Sequence, residues 1–199
     1  VEGGELVGKR SAFGDSVVVD VGWTSTPRLG LVRSGSFEPA ESAAAGEVSP
    51  VSVALEDFST KAALTGQEQE ESSGPSIEEA DILVTGGRGL GAPEGFGILE
   101  ELADALGGAV ASTRAVVDSG WYPYATQIGQ TGKIVAPKLY IGCGVSGAIQ
   151  HKVGMQSSQT IVAINKDANA PIFDFSDVAV VGDLHEVVPK LTELAKARG

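Results

Sequence analysis

The sequence has few of the side chains that form disulfides or bind metals. Its 199 residues include one cysteine, Cys143, and two histidines, His151 and His185. A single cysteine excludes an internal disulfide framework and a cysteine-rich zinc site. No histidine pair stands at ligand spacing, so no metal site is expected. Cys143 lies inside a glycine-rich loop and is predicted to be a small buried residue, whereas His185 is predicted to be solvated.

Positive charge is scarce, and long apolar runs are missing. The chain has 14 Lys and Arg against 26 Asp and Glu, a formal net charge of -12. Because non-specific nucleic-acid binding depends on surplus positive charge, no nucleic-acid partner is expected. No apolar run approaches the ~20 residues of a membrane helix, which predicts a soluble protein without membrane insertion. A chain that begins with Val1 rather than Met is expected of a fragment or a processed protein.

A complete nucleoside triphosphate loop is also missing. The stretch QIGQTGK, residues 127–133, ends like the phosphate-binding pattern G-x-x-x-x-G-K-[ST]. Gln127 stands where that pattern has its first glycine, and Ile134 stands where it has the hydroxyl residue that holds magnesium. The loop therefore needs a different explanation.

The chain is predicted to divide into three parts. In residues 1–63, the runs SVVVDVGW, RLGLVRSGSF and VSPVSVAL are rich in β-branched residues and separated by turn residues. They predict a small antiparallel set of strands. Residues 64–77, LTGQEQEESSGPSI, are polar and acidic without hydrophobic periodicity, which predicts a linker.

Residues 78–199 alternate between strand and helix patterns. The runs ADILVTGG, AVAST, KLYIGCG, TIVAINKD and DVAVVGD predict strands. Between and after them, PEGFGILEELADALGG, RAVVDSG, SGAIQHKVGM and VVPKLTELAKA predict helices. This alternation predicts an α/β fold with a doubly wound, mostly parallel, Rossmann-like sheet. Ligands of such sheets bind at the carboxyl ends of the strands, so the loops after the strands are the candidate site.

Two glycine-rich loops follow predicted strands. GCGVSG, residues 142–147, matches G-x-G-x-x-G between a strand and a helix, which favours pyrophosphate binding. The alternative is a tight turn in which Ser146 caps the helix. GGRGLG, residues 86–91, carries Arg88, which is either a phosphate or carboxylate ligand or an exposed turn residue.

Two further charged residues allow two interpretations each. Asp183 precedes the last helix, where it either caps that helix or binds a ribose. Arg114 begins a short helix, where two positive groups, the cation and the helix N-terminus, meet. It either contacts an anionic or electron-rich ligand or pairs with Asp118 along the helix.

Together these stretches resemble one family. Residues 119–193, from SGWYPYATQIGQTGK to VVPKLTE, with GGRGLG and STRAVVD before them, resemble the FAD domain of the electron-transfer flavoprotein alpha subunit. The likeness runs from Asp81 towards the C-terminus. It is looser from Val17 to Phe37, where the chain is similar to the closing strands of that subunit's first domain.

The resemblance implies a set of FAD contacts. It places Arg88 at the pyrophosphate, Arg114 over the flavin ring, Gln130 near the ribityl chain and Thr131 at flavin N5. It places His151 near flavin O2, and Asn165, Asp183 and Leu184 on the adenosine side. The full set that it implies is Arg88, Thr113, Arg114, Gln127, Ile128, Gly129, Gln130, Thr131, Ser146, Gly147, Ala148, Ile149, Gln150, His151, Asn165, Asp183 and Leu184.

The resemblance also implies a function. It indicates an electron carrier without catalytic residues, holding FAD non-covalently and paired with a beta subunit. Its electrons would come from dehydrogenases, such as those of fatty acid beta-oxidation, and pass to a quinone oxidoreductase or another acceptor. The location would be the cytoplasm of a bacterium, or the mitochondrial matrix of a eukaryote.

Two other function classes are open from the glycine loops alone. One is an adenine-nucleotide-binding module without a redox role, although Arg114, Thr131 and His151 have no use in an adenine-only site. The other is a nicotinamide-dependent dehydrogenase, which lacks support because no separate substrate domain is predicted.

Overall fold

A two-stranded sheet lies in the first part of the chain. The computed structural model describes residues 5–12, 17–32, 37, 40, 46–66 and 76–198. Strands β1 (Gly8–Ala12) and β2 (Val17–Val21) pair antiparallel, with Gly8 opposite Val21. The predicted small antiparallel component is therefore confirmed, and β2 falls within the predicted run SVVVDVGW.

Two of the predicted strands in this part are wrong. Residues 28–32 and 48–55 belong to no strand, and residues 33–36 lie outside the described residues. Val48 is 95% exposed and Val51 is 82% exposed. Because β-propensity largely reflects packing against neighbouring strands, β-branched residues without such neighbours do not form a strand. A 3₁₀ helix at Asp57–Thr60 was not predicted, and residues 67–75 of the predicted linker lie outside the described part.

The main sheet is parallel and doubly wound. Its strand order is β5-β4-β3-β6-β7-β8, and every neighbouring pair is parallel. Within this sheet the first strand, β3, lies near the centre, and later strands are added outward on both sides, the order typical of dinucleotide-binding sheets. The predicted Rossmann-like α/β fold is confirmed, although β5 was not predicted because two residues carry no pattern. The strands are β3 (Ile82–Gly86), β4 (Ala109–Thr113), β5 (Gln127–Ile128), β6 (Leu139–Cys143), β7 (Thr160–Asn165) and β8 (Val178–Val181).

The α-helices fall where the sequence predicts them, with small differences at their ends. They are α1 (Phe96–Leu106), α2 (Arg114–Asp118), α3 (Ile149–Met155) and α4 (Leu184–Lys196). A 3₁₀ turn that begins with Pro93 precedes α1. The helix ends at Gly107, whose φ of 66° is favourable for glycine. α3 starts at Ile149 rather than at Ser146. None of the described helices is long and apolar enough to cross a membrane.

Apolar side chains fill both faces of the sheet. Neighbouring residues in a strand join different clusters: Leu83 and Tyr140 on one face, Val84 and Ile141 on the other. The second face is covered by α1 and α4, and the first by Met155 of α3 and by Ile172 of the 3₁₀ helix Pro171–Phe175. Burial on both faces explains why these strands are continuous apolar runs.

One smaller prediction about packing is confirmed. Cys143 is completely buried, and this burial raises its pKa to about 12. The Tyr122 ring stacks on Phe96 with 4.1 Å between ring centroids, and its hydroxyl donates to Glu100. Both residues therefore belong to the packed interior and its edge rather than to the site.

Candidate functional site

The two glycine loops meet at the point where the sheet changes direction. β3 and β6 are neighbours, and the loops that follow them touch through their backbones. The Gly87 N–H donates to the Cys143 carbonyl, and the Gly89 N–H donates to the Gly144 carbonyl, each at 3.0 Å. A Cβ on Gly89 would lie 2.6 Å from the Gly144 Cα atom. These glycines are required because the two loops lie too close for any side chain.

The last glycine of GCGVSG also has a packing role. Gly147, at φ 89°, lies against the backbone of Ile172, where a Cβ would fall within 2.2 Å. α3 begins two residues later, and its N-cap residue, Ala148, makes no side-chain hydrogen bond. The interpretation of Ser146 as the cap of this helix is therefore wrong, because the helix begins one turn later than the glycine pattern suggests.

A cleft of about 410 Å³, the main cleft, opens at this carboxyl edge of the sheet. It brings together most of the residues that the sequence singled out. The cleft wall also includes Ala115 and Val145, which the sequence analysis did not select, and Asp118, which it named only as a partner for Arg114. The predicted site residues that line the main cleft are Arg88, Thr113, Arg114, Ile128, Gly129, Gln130, Thr131, Ser146, Ala148, Gln150, His151 and Asn165.

A second cleft of about 220 Å³ adjoins the main cleft. The two share Gly89, Gly144 and Asn165 in their walls. The predicted residues Asp183 and Leu184 line the second cleft, not the main one. The Asp183 carboxylate accepts the His185 N–H at 2.8 Å, so it caps α4 as one interpretation proposed. Its place in the cleft wall keeps ligand binding open as well.

Three predicted residues line neither cleft: Gln127, Gly147 and Ile149. Gln127 is 2% exposed, and its Nε2 donates to the Thr131 hydroxyl at 3.1 Å. It therefore orients a residue that lines the main cleft. Ile149 is 74% exposed at the start of α3. The family resemblance implied all three as cofactor contacts; the structure separates the residues that line the clefts from these three, which do not.

The loop containing Thr131 is fixed from several sides. The Gln130 N–H donates to the Gln150 carbonyl of α3 at 2.8 Å, and the Tyr124 hydroxyl donates to the Thr131 carbonyl at 3.0 Å. The Thr131 hydroxyl accepts a hydrogen bond from Gln127, which leaves its own proton available for another acceptor. Thr131 thus presents a positioned donor at the main cleft.

Two arginines supply the positive charge of the main cleft. Arg88 is exposed and has no ion pair within the described part of the chain. The Arg114 Nε lies 3.2 Å from the Asp118 carboxylate, one helical turn away, and both side chains are more than half exposed. Exposed pairs of this kind contribute little to stability, so Arg114 can exchange Asp118 for a ligand. Lys133, in contrast, pairs with Glu78 at 3.1 Å.

His151 enters the cleft wall from α3 as a buried residue. Its Nε2 lies 2.7 Å from the Tyr140 hydroxyl, and its Nδ1 lies 3.2 Å from the Ile128 carbonyl. Burial lowers the pKa of His151 to about 4, and the hydrogen bond to Ile128 only partly opposes this shift. His151 is therefore neutral at physiological pH.

The fold and the site together define a class. A parallel sheet of order β5-β4-β3-β6-β7-β8, with paired glycine loops and a cleft containing two arginines at its switch point, is the architecture of Rossmann-like domains. The family model of the electron transfer flavoprotein FAD-binding domain matches residues 76–156. The chain belongs to the electron transfer flavoprotein alpha subunit family, as three relatives illustrate.

Bacterial and plant proteins share the similarity. The electron transfer flavoprotein subunit alpha of Thermoanaerobacterium thermosaccharolyticum is 45% identical over 198 residues, 98% of this chain and 60% of the relative. That of Mycobacterium tuberculosis is 49% identical over 197 residues, 99% of this chain and 61% of the relative. The mitochondrial subunit alpha of Oryza sativa is 48% identical over 170 residues, 83% of this chain and 48% of the relative. The chain thus spans about 60% of the length of these bacterial relatives.

Replacing Gly89 with alanine tests the contact between the glycine loops. We expect Gly89→Ala to lower the free energy of unfolding by about 1–3 kcal/mol, because the new methyl group overlaps the Gly144 backbone. Urea denaturation followed by circular dichroism measures the change. Gly97→Ala is the control: Gly97 lies in α1 with no atom near its Cβ position, so this change should stabilise the chain by about 0.5–1 kcal/mol. Equal effects of the two substitutions would contradict the assigned role of Gly89.

Proposed function

We propose that the chain binds FAD non-covalently across the two clefts and acts as an electron carrier. The observation that carries this proposal is the main cleft, where two arginines and the positioned Thr131 hydroxyl surround one space. Its volume of about 410 Å³ lies within the ~300–1,000 Å³ of typical cofactor sites. The second cleft shares Gly89, Gly144 and Asn165 with the main cleft, and we assign the second part of a long, two-part cofactor to it.

Arg88 is the residue we assign to the diphosphate. The Gly87 and Gly89 N–H groups beside it are used in the contact between the loops, so they are not available to bind an anion. A diphosphate at the glycine loops therefore needs a side chain to balance its charge. Arg88 lines the main cleft and is free to form paired hydrogen bonds with phosphate oxygens.

Arg114 and Thr131 are the residues we assign to the flavin ring. The bound flavin would supply the redox chemistry, and the protein would adjust its potential. A fixed guanidinium charge favours the reduced ring because reduction adds negative charge. Thr131, held by Gln127 and Tyr124, would donate its hydroxyl proton to a ring nitrogen.

The proposed electron-carrier role also requires partner proteins. We propose that it pairs with an electron transfer flavoprotein beta subunit and accepts electrons from dehydrogenases, such as acyl-CoA dehydrogenases, for a quinone-linked oxidoreductase or another acceptor. The family membership and the relatives' names support this role.

We also propose that residues 1–63 belong to the subunit's first domain, residues 64–77 to a linker and residues 78–199 to the FAD domain. A bacterial cytoplasm or a mitochondrial matrix fits the relatives' origins.

Cofactor binding is the first prediction of the proposed function. The purified chain, alone and mixed with the beta subunit of a bacterial relative, is incubated with FAD and passed through a desalting column. We expect flavin absorption bands to elute with the protein, because the main cleft can hold the ring and Arg88 the diphosphate. AMP is the competing ligand in parallel samples. Absence of flavin from both samples would overturn the proposal, and retention of AMP alone would favour an adenine-nucleotide module.

The charge of Arg114 is the basis of a second prediction. We expect Arg114→Ala to lower the flavin midpoint potential by tens of millivolts, where ~60 mV per electron equals a tenfold change in the equilibrium. The reason is that the reduced ring loses a positive neighbour. Asp118→Asn provides the opposite case, because it removes the carboxylate that pairs with Arg114 and should raise the potential. Arg114→Lys, which keeps the charge, should have a smaller effect than Arg114→Ala. Spectroelectrochemical titration measures all three, and unchanged potentials would contradict the role of Arg114.

The hydroxyl of Thr131 gives a third prediction. Thr131→Val keeps the shape of the side chain and removes its donor, so we expect a lower midpoint potential with FAD affinity within about tenfold of the parent. The control is Thr160→Val, at the exposed start of β7 and outside both clefts. If Thr131→Val and Thr160→Val gave the same potential, Thr131 would not donate to the ring.

A further inference from the structure

A buried hydroxyl outside both clefts is bonded to the turn that precedes the Thr131 loop. Ser112, in β4, is completely buried, and its Oγ lies 2.8 Å from the Oγ1 of Thr126. Thr126 is the last residue of a 3₁₀ turn, Tyr124–Thr126, which we call the Tyr124 turn. Neither Ser112 nor Thr126 lines the main or the second cleft. Their hydrogen bond therefore holds an element of the fold and does not contact a ligand in either cleft.

The Thr126 hydroxyl determines the direction of this bond. It donates its one proton to the Pro123 carbonyl at 2.7 Å, because a carbonyl oxygen can only accept. Ser112 must then donate its own proton to the Thr126 oxygen. Loss of the Thr126 oxygen would leave a buried donor unpaired, which costs more than the bond itself contributes. The Tyr124 turn is thus tied to β4 through two consecutive hydroxyl groups.

Residues on both sides of Thr126 hold Thr131 in place. The Tyr124 hydroxyl donates to the Thr131 carbonyl at 3.0 Å, and the Gln127 Nε2 donates to the Thr131 hydroxyl at 3.1 Å. Tyr124 is 61% exposed, so water competes for its hydrogen bond. Gln127 belongs to β5, whose two residues alone pair with β4. The fully buried side-chain anchor of this segment is therefore Ser112.

We propose that Ser112 is a positioning residue: its buried hydroxyl, acting through Thr126, holds the Tyr124 turn and thereby fixes the Thr131 hydroxyl at the main cleft. Two bonds to Thr131 and one buried bond to Ser112 meet in a segment of five residues. The consequence for a flavin rests on the proposed function, whereas the fixing of the loop does not.

Amide hydrogen exchange, measured by NMR on the chain without FAD, tests the fixing of the loop. The Lys133 N–H donates to the Gln127 carbonyl at 2.7 Å and reports opening of the Thr131 loop. The Gly144 N–H donates to the Ile164 carbonyl at 2.9 Å and is the reference for the centre of the sheet. We expect Ser112→Ala and Thr126→Val to raise the ratio of the Lys133 rate to the Gly144 rate about 3- to 10-fold, as the loss of one hydrogen bond predicts.

Two variants control for a general loss of stability. Thr126→Ser keeps the hydroxyl group and should restore the ratio of the parent protein. Thr192→Val removes another buried hydroxyl, which donates to the Val188 carbonyl at 3.0 Å within α4. Because Thr192 has no bond to the Tyr124 turn, this substitution should leave the ratio unchanged.

The midpoint potential of the FAD-bound protein tests the consequence for the ring. Ser112→Ala should lower the potential by less than Thr131→Val does, because it displaces the donor without removing it. In the Thr131→Val background, Ser112→Ala should have no further effect, since the donor that it positions is absent. A role of Ser112 in stability alone would not produce this dependence on Thr131.

The proposal would be overturned by an unchanged exchange ratio in Ser112→Ala and Thr126→Val, or by failure of Thr126→Ser to restore the ratio. Equal effects of Ser112→Ala on the potential with and without the Thr131 hydroxyl would also overturn it. Ser112→Ala supplies the exchange comparison if Thr126→Val does not fold. If the parent protein retained no FAD, the proposed function would be contradicted, and the exchange rates would still decide the role of Ser112.

Discussion

The contact between the glycine loops after β3 and β6 determines the rest of the site. Gly87 and Gly89 donate to the carbonyls of Cys143 and Gly144, so two loops from adjacent parallel strands form one surface at the switch point of the sheet. This surface is a wall of both clefts, since Gly89 and Gly144 line each of them. A single added methyl group would separate the loops and alter both clefts together. The glycine pattern therefore serves the shape of the site before it serves any ligand.

The Thr131 loop depends on a second close backbone contact. A Cβ on Gly154 of α3 would lie 2.4 Å from the Gly129 nitrogen, so loop and helix are in direct contact there. Gln130 bonds to the same helix through Gln150, and His151 bonds to the Ile128 carbonyl just before the loop. Loop groups fixed to a packed helix in this way are held more accurately than groups on a free loop. The position of the Thr131 hydroxyl is thus a property of α3 as much as of its own segment.

The sequence predicted the sheet and the helices because burial on both strand faces and strand-to-helix alternation leave strong patterns, whereas most of the cleft residues were implied by the family resemblance. It could not predict β5, which is two residues long, or the start of α3 at Ile149, since GCGVSG suggests an earlier start. It also mistook apolar runs near Val48 for strands, because a propensity for strands does not show whether a partner strand is present. The hydrogen bonds from Gln127 to Thr131 and between Tyr140 and His151 were missed for a different reason. The first depends on the fold of its own loop and the second joins β6 to α3, and no sequence pattern records either bond.

The charges at the main cleft, rather than the net charge of the chain, determine the electrostatic environment of a bound ligand. The net charge of -12 would repel an anionic ligand at long range, but salt screens such interactions beyond ~8–10 Å. At the main cleft the nearby charges are Arg88, without an ion pair in the described part of the chain, and Arg114 with Asp118. Since His151 is neutral, the balance within the cleft is two guanidinium groups against one carboxylate. An anionic ligand that displaces Asp118 from Arg114 therefore meets a positive site in an acidic protein, and the Arg114–Asp118 pair becomes the adjustable part of its electrostatics.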